Sequence, residues 1–228
     1  PNPFPVRKIA VCPLINQSAE PRDPLADGEA LASELATFPG FEVIWPRQWS
    51  PALPEGKLEL QPQLDQARAA GAEALLIAVV TESSSYPPPR LGLAMALYPT
   101  ARLERLPVPY EELMEAGKPF AAALPQPKDP WMGAFGTVYD ARDKGVLDRL
   151  HRWGRRRSQS EASFDWRRGL YSREEFLRFC LNESLRQLCR SGRDRWSRNP
   201  ADYSPIILER TPPPSILTPS SKAFLALR

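Results

Sequence analysis

Histidine and cysteine are scarce in this chain, and their scarcity removes whole classes of chemistry. The 228 residues include 1 His and 3 Cys. One histidine cannot build a multi-histidine metal site, and three cysteines cannot form a four-thiolate zinc site or a disulfide framework. No window approaches the roughly 18 uninterrupted apolar residues of a membrane-spanning helix.

Familiar catalytic motifs are missing as well. The chain has no glycine-rich phosphate loop, no Gly-x-Ser-x-Gly elbow and no Cys-x-x-Cys pair. The carboxylate pairs Glu111-Glu112 and Glu174-Glu175 are adjacent, so their side chains diverge on a helix. We therefore predict no catalytic residue, no cofactor and no metal site, and we expect a protein that is not an enzyme. Four tyrosines are interpreted as strand and loop packing: Tyr86, Tyr98, Tyr110 and Tyr139.

Proline is abundant, since 27 of the 228 residues are Pro, against a usual share of about 5%. Hydrophobic residues make up 42% of the chain, with 6 Trp, which is enough for a real core. We predict one mixed α/β domain over residues 1–200, with a proline-rich insertion at 100–133. Residues 201–228 are predicted to form an extended proline-rich C-terminal tail.

Apolar periodicity predicts a mixed β-sheet of about five strands packed with helices. Residues 74–81 are continuously apolar, which is typical of a central strand covered on both faces. The link from that strand to the next is too short for a helical crossover, so the two should be antiparallel neighbours. The predicted strands are 7–14, 41–45, 73–82, 91–98 and 134–140.

Capping signals place four helices. Asp27 is predicted to cap a helix carrying Leu31 and Leu35, and Gly71 to end a second helix at its C′ position. Asp143 or Asp140 precedes a helix with apolar residues at Val146, Leu150 and Trp153. Ser172-Arg173-Glu174-Glu175 has the spacing of a capping box and opens the best helix of the chain, predicted to pack on the sheet through Phe176, Phe179 or Cys180, and Leu188.

Positive charge is concentrated near the end of the domain. Residues 1–142 contain 12 basic and 17 acidic residues, a net charge of −5, whereas residues 143–200 contain 15 and 8, a net charge of +7. The densest run is 151–157, and three interpretations stay open for it. It is a solvated helix end, a contact for an acidic protein or neighbouring subunit, or a contact for nucleic acid or anionic lipid. The candidate partner-binding residues here are Arg152, Arg155, Arg156 and Arg157.

The tail supplies a second set of candidate contacts. Consecutive prolines favour an extended path that loses little entropy on docking. We predict that the tail runs across a neighbouring subunit or partner, although folding back on its own domain is the alternative. The apolar anchors would be Ile206, Ile207, Leu208, Ile216, Leu217, Phe224 and Leu225.

Two strands resemble those of a group of bacterial envelope proteins. Residues 7–16, Arg-Lys-Ile-Ala-Val-Cys-Pro-Leu-Ile-Asn, resemble the group's first strand, and residues 71–81 resemble its central Gly-Ala-Asp-Ala-Leu strand. The group includes the curli-secretion lipoprotein CsgG, the peptidoglycan-synthase activator LpoB and the N-terminal domain of TolB. The chain departs from the group at 100–133 and shows no amphipathic pore-forming hairpin, so a channel role is not expected.

The resemblance implies export, a lipid anchor upstream of Pro1, and a role in binding other proteins rather than in catalysis. The chain begins without Met, which we interpret as a processed start, although a trimmed terminus would look the same. We expect a non-enzymatic periplasmic or outer-membrane-associated scaffold that binds other protein subunits, including copies of itself. The alternative is a module that binds nucleic acid or an anionic surface through residues 152–157.

Overall fold

A computed structural model describes residues 4, 6–45, 60–100, 132–158 and 165–198. Within them the elements follow the order β-β-α-β-α-β-β-β-α-3₁₀-α. Their bounds are β1 Lys8–Val11, β2 Ile15–Asn16, α1 Pro24–Ala36, β3 Glu42–Ile44, α2 Leu60–Ala69, β4 Ala74–Ser84, β5 Arg90–Pro99, β6 Gly133–Asp140, α3 Lys144–Ser158, a 3₁₀ helix Trp166–Leu170 and α4 Arg173–Arg198.

The six strands form one mixed sheet in the order β3-β1-β4-β5-β6, with β2 pairing the far part of β4. β1 is parallel to β3 and β4, whereas β5 is antiparallel to both β4 and β6. The predicted α/β class and the antiparallel β4–β5 pair are therefore confirmed.

The prediction of one strand over 7–14 is wrong, because β1 and β2 are separate. Cys12 N still donates to Leu76 O at 3.0 Å, but Pro13 has no N–H to continue the ladder. Leu14 N then bonds Pro24 O at 2.9 Å instead of the neighbouring strand. The sheet resumes at Ile15, which pairs with Val79.

β4 is covered on both faces, as its continuous apolar sequence predicts. Leu76, Ala78 and Val80 face the core shared with α1, α3 and α4. Leu75, Ile77 and Val79 face the smaller core under α2, which contributes Leu64 and Ala67. The fold therefore consists of three layers with the sheet in the middle.

The two helices that end the described chain pack as predicted. Ser172 Oγ accepts a hydrogen bond from Glu175 N at 3.3 Å and caps α4. α4 buries Phe176, Phe179, Cys180 and Leu188. Asp143 caps α3, since its Oδ1 accepts from Gly145 N and Val146 N; the apolar residues of α3 are buried at Val146, Leu150 and Trp153.

The cap of α1 differs from the prediction. Asp23 rather than Asp27 holds the first turn, since its side chain accepts from Leu25 N and Ala26 N. Pro24 at the first helical position starts the helix earlier than the sequence spacing indicates. The C′ glycine after α2 is confirmed, because Gly71 has a φ of 74°.

Two further predictions fall outside the described residues. These are the proline-rich insertion at 100–133, except for its two ends, and the tail at 201–228. Among the helices described, none combines the length and the apolarity needed to cross a membrane.

Candidate functional site

The arginine run lies on α3, where it divides between an inner and an outer side. Trp153 is buried against Phe179, with ring centroids 6.0 Å apart, and this contact sets the rotation of the helix. Arg152, Arg155 and Arg156 are exposed and Arg157 is partly buried, and the guanidinium groups of Arg156 and Arg157 approach carboxylates of the same chain. The four candidate cations are therefore not equivalent.

Arg157 belongs to a buried centre around Glu34 of α1. The Glu34 side chain is only 6% exposed, and its Oε1 lies 3.2 Å from Arg157 Nη1. Asn182 Nδ2 donates to the second oxygen at 3.0 Å, and Arg178 Nη1 lies 4.0 Å from Oε1. The guanidinium of Arg157 also lies 5.1 Å from the Trp153 ring centre. Arg157 is therefore not a purely solvated cation, because it pairs with an internal carboxylate; its contact with a partner stays a prediction.

A second charged centre surrounds Glu183 of α4, and here the cations outnumber the carboxylate. Three guanidinium groups approach its carboxylate without reaching hydrogen-bond distance: Arg156 at 3.7 Å, Arg149 at 4.0 Å and Arg186 at 4.0 Å. Their side chains are 48%, 37% and 41% exposed, against 11% for Glu183. We call Arg149, Arg156 and Arg186 the arginine cluster.

Asn182 connects the two centres. Its Nδ2 donates to Glu34, and its Oδ1 accepts from Arg186 Nε at 3.0 Å. One amide therefore fixes the distance between the inner pair and the arginine cluster. The sequence signal for the inner centre is Glu34 itself, a carboxylate on the apolar face of α1 between Leu31 and Leu35.

A different kind of surface lies at the end of the sheet where β4 joins β5. The β4–β5 hairpin tip is held to the preceding loop, because Glu20 accepts from Ser83 Oγ at 2.7 Å and from Ser85 N at 2.8 Å. The N-terminus of α4 lies at the same end, since Arg173 Nη2 donates to Pro21 O at 2.7 Å. α1 begins in that loop too, and β6 ends beside the start of β5.

Among the side chains whose burial the structure describes, the four large hydrophobic ones that are exposed all lie at this end. We call them the hairpin surface: Tyr86 is 84% exposed, Tyr171 77%, Leu25 48% and Val138 42%. The interpretation of Tyr86 as packing is wrong, because the hairpin tip projects past the core. For Tyr98 and Tyr139 it is confirmed, since both are buried; Tyr110 lies outside the described residues.

Neighbouring hydrogen-bond donors and cations stabilise the charged carboxylates around the hairpin surface. The pKa of Glu20 is lowered chiefly by the hydrogen bond from Ser83. Hydrogen bonds from Arg142, the shortest of them 2.6 Å, lower the pKa of Asp140 to about 2. Arg90 Nε lies 3.0 Å from Glu82 Oε1.

Tyr171 also lines a shallow cleft of about 430 Å³ with Asp165, Arg167, Arg168 and Ser172.

The three cysteines are free, and burial suppresses their reactivity. Burial raises the pKa of Cys12 and Cys180 well above the ordinary range, and that of Cys189 to about 11. All three are therefore thiols rather than thiolates at neutral pH. In the part of the chain that the structure describes, no group of three or more metal-ligating side chains is found.

The predicted tail contacts from Ile206 to Leu225 lie outside the described residues. Arg152 and Arg155 are placed on the exposed side of α3, and Arg152 Nε donates to Asp148 O at 3.3 Å. Sequence reasoning missed Arg149 and Arg186, because the first lies before the dense run and the second is 30 residues beyond Arg156.

Neither a protein-family model nor a curated protein matches this chain. Among solved structures, the PelC dodecamer from Paraburkholderia phytofirmans is similar over 42% of this chain and 63% of that chain, with 18% identity and a TM-score of 0.30. The match therefore spans less than two thirds of PelC.

Two further solved structures are similar at comparable levels. The C-terminal domain of LpoB from Salmonella enterica matches over 59% of this chain and 82% of that chain, with 14% identity and a TM-score of 0.36. A lipoprotein from Neisseria meningitidis matches over 68% of this chain and 99% of that chain, with 11% identity and a TM-score of 0.39. These TM-scores are below 0.5 and carry no argument about function.

Proposed function

We propose that this chain is a non-enzymatic subunit of a bacterial cell envelope that binds another protein through the hairpin surface. The observation that carries the proposal is the gathering of Leu25, Tyr86, Val138 and Tyr171 at one end of the sheet. Scattered single exposed hydrophobics are ordinary, but a set of them confined to one end is typical of an interaction site.

Tyr86 is the principal anchor of the proposed contact. It projects from a two-stranded hairpin and is followed by Pro87, Pro88 and Pro89. Prolines restrict the free chain, so less entropy is lost when the tip docks. Tyrosine combines a large apolar ring with a hydroxyl, which is why it is enriched among the residues that dominate protein–protein binding.

The charges beside this surface favour a protein over a polyanion. Glu20, Glu82 and Asp140 each lie against hydrogen-bond donors or cations of the same chain. Negative and positive charges are therefore interspersed at this surface, which also includes the exposed cations Arg167 and Arg168 beside Tyr171. A protein partner with an apolar patch and a polar rim fits such a surface better than a phosphate backbone does.

The envelope part of the proposal rests on the sequence resemblance of residues 7–16 and 71–81. Fractionation of cells that express the protein from its native gene tests it. We expect the protein in the envelope fraction, accessible to protease once the outer membrane is opened. Recovery in the cytosol would overturn the envelope part alone.

Photo-crosslinking tests the partner contact. A photo-reactive phenylalanine analogue is placed at position 86, and a matched one at exposed position 42 on the edge strand β3. We expect a discrete adduct from position 86, reduced by Tyr171→Ala, and none from position 42. Equal labelling from both positions would overturn the proposal.

The tail is proposed as a second attachment, through Ile206–Leu208, Ile216, Leu217, Phe224 and Leu225. Its support is the sequence pattern of apolar residues among prolines. Deletion of residues 204–228 should weaken the assembly while leaving the melting temperature of the domain unchanged. An intact assembly after the deletion would contradict this part.

A further inference from the structure

We infer that the arginine cluster of Arg149, Arg156 and Arg186 binds a phosphate group, with the anion bridging the three guanidinium groups beside Glu183. The cluster is separate from the hairpin surface, because Glu183 lies ten residues, about 15 Å, along α4 from Arg173, the helix's first residue beside Tyr171.

The arginine cluster carries more positive charge than its carboxylate balances. Three guanidinium groups lie within 4.0 Å of a single carboxylate, which leaves two positive charges uncompensated. Crowding is visible at Arg156, whose pKa is lowered by partial burial and then by the charges of Arg186 and Arg152. A phosphate monoester carries about 1.5 to 2 negative charges at neutral pH, which matches the surplus.

Most N–H donors of the arginine cluster are available to a ligand. Each guanidinium has five N–H groups. Arg149 and Arg156 donate no hydrogen bond to any described residue, and Arg186 donates its Nε to Asn182 Oδ1. Their distances to Glu183 are too long for hydrogen bonds. The cluster therefore holds charge-assisted donors that its own carboxylate does not use.

The arrangement of the three arginines on two helices suits a tetrahedral anion. α3 supplies Arg149 and Arg156, which are seven residues apart and lie on one face of the helix, and α4 supplies Arg186 from the other side. A tetrahedral anion offers oxygens in several directions, whereas a planar carboxylate offers two in one plane. Guanidinium forks bind phosphate oxygens in paired hydrogen bonds. The packing of Trp153 and the Asn182 bridge hold the two helices in place before the anion arrives.

Glu183 sets the strength of the site. Its carboxylate keeps the three cations together but repels an incoming anion. Replacing it by the neutral isostere Gln therefore predicts tighter phosphate binding, which a purely structural role of the cluster does not predict.

The test is a calorimetric titration of the full chain with inorganic phosphate at low ionic strength. We expect saturable one-to-one binding, weakened about tenfold by Arg156→Gln and strengthened about threefold by Glu183→Gln. A triple variant with Arg149→Gln, Arg156→Gln and Arg186→Gln should abolish saturable binding. The matched control removes as much charge elsewhere, with Lys8→Gln, Arg142→Gln and Arg167→Gln together. These three cations pair with other carboxylates and are exposed.

Vesicles distinguish a lipid headgroup from a soluble phosphate. Co-sedimentation with phosphatidic acid vesicles, but not with phosphatidylcholine, and its loss in Arg156→Gln assign the phosphate to a lipid headgroup. Binding of inorganic phosphate without co-sedimentation assigns it to a soluble ligand.

No saturable binding, equal weakening by the control variant, or weaker binding by Glu183→Gln would overturn the inference. Because Arg156 is half-exposed, we expect Arg156→Gln to fold. Its phosphate binding therefore still tests the inference if a variant at Glu183 fails to fold.

Discussion

The hairpin surface leaves apolar side chains exposed to water, whereas the arginine cluster leaves positive charge without a matching carboxylate. At the hairpin surface the carboxylates of Glu20 and Asp140 lie against local partners, and large apolar side chains remain in contact with water. At the arginine cluster the cations outnumber the carboxylate they surround. The first surface offers burial of apolar area, which depends little on salt, and the second offers charge, which salt screens.

A second contrast separates the cluster from the inner centre next to it. Glu34 uses both oxygens in short contacts with Arg157 and Asn182, whereas Glu183 makes no contact shorter than 3.7 Å to its arginines. Asn182 joins the two. Around Glu34, arginine and glutamate therefore stabilise the packing of α1, α3 and α4. Around Glu183, the same residue types leave guanidinium N–H groups available to a ligand.

The largest expected effect is at the inner centre. Glu34→Gln should lower the free energy of unfolding by about 3 kcal/mol, because it removes the charge of a nearly buried carboxylate that lies 3.2 Å from Arg157 and 4.0 Å from Arg178. Urea denaturation measures this, with Glu29→Gln on the exposed side of α1 as the control. A loss as small as that of the control would remove the contrast between the two centres.

A smaller effect is expected at the start of α4. Ser172→Ala removes the cap on Glu175 N and should cost about 1 kcal/mol of stability. Hydrogen exchange should accelerate over residues 173–176, beside the hairpin surface, and stay unchanged around Glu183. Equal acceleration at both places would show that the two regions open as one unit.

Glu183→Gln should change stability less than either of these. The three ion pairs are partly exposed and longer than hydrogen bonds, so we expect a loss below about 1 kcal/mol. Addition of phosphate should raise the melting temperature of this variant more than that of the unaltered protein. A loss as large as that of Glu34→Gln would make the cluster a structural centre.

The smallest effect concerns acid at the hairpin surface. Because the pKa of Glu20 is lowered from its ordinary value of 4.5, its contribution to stability is present above that value and is lost as the pH falls through the lowered pKa. Ser83→Ala should raise the pKa of Glu20 in a carbon-detected NMR titration. The pKa of Asp140, about 2, should not move, and a common shift would indicate a general change of the loop.

The sheet is readable from the sequence because its signals are local. The continuous apolar run of β4 and the alternation of β5 predict their burial and pairing, and Ser172 marks α4. The break between β1 and β2 was missed because Leu14 N bonds Pro24 O, a contact that strand periodicity does not encode.

The surfaces are harder to predict, since they depend on residues far apart in the chain. Arg157 and Glu34 are separated by 123 positions, and Arg149 and Arg186 meet only because α3 and α4 pack together. The exposure of Tyr86 follows from a hairpin that extends beyond the core. Charge counting located the basic region correctly, but it did not distinguish the neutralised cation Arg157 from the cluster beside it.

The most direct measurement is the salt dependence of photo-crosslinking at position 86, in the unaltered background and with Arg149, Arg156 and Arg186 all changed to Gln. The account predicts that the adduct yield stays within about twofold between low salt and about 0.5 M salt, and between the two backgrounds, because burial of apolar area carries the contact. A steep loss of the adduct with salt, or its loss in the cluster variant, would show that charge carries the partner contact and would contradict the division into two surfaces.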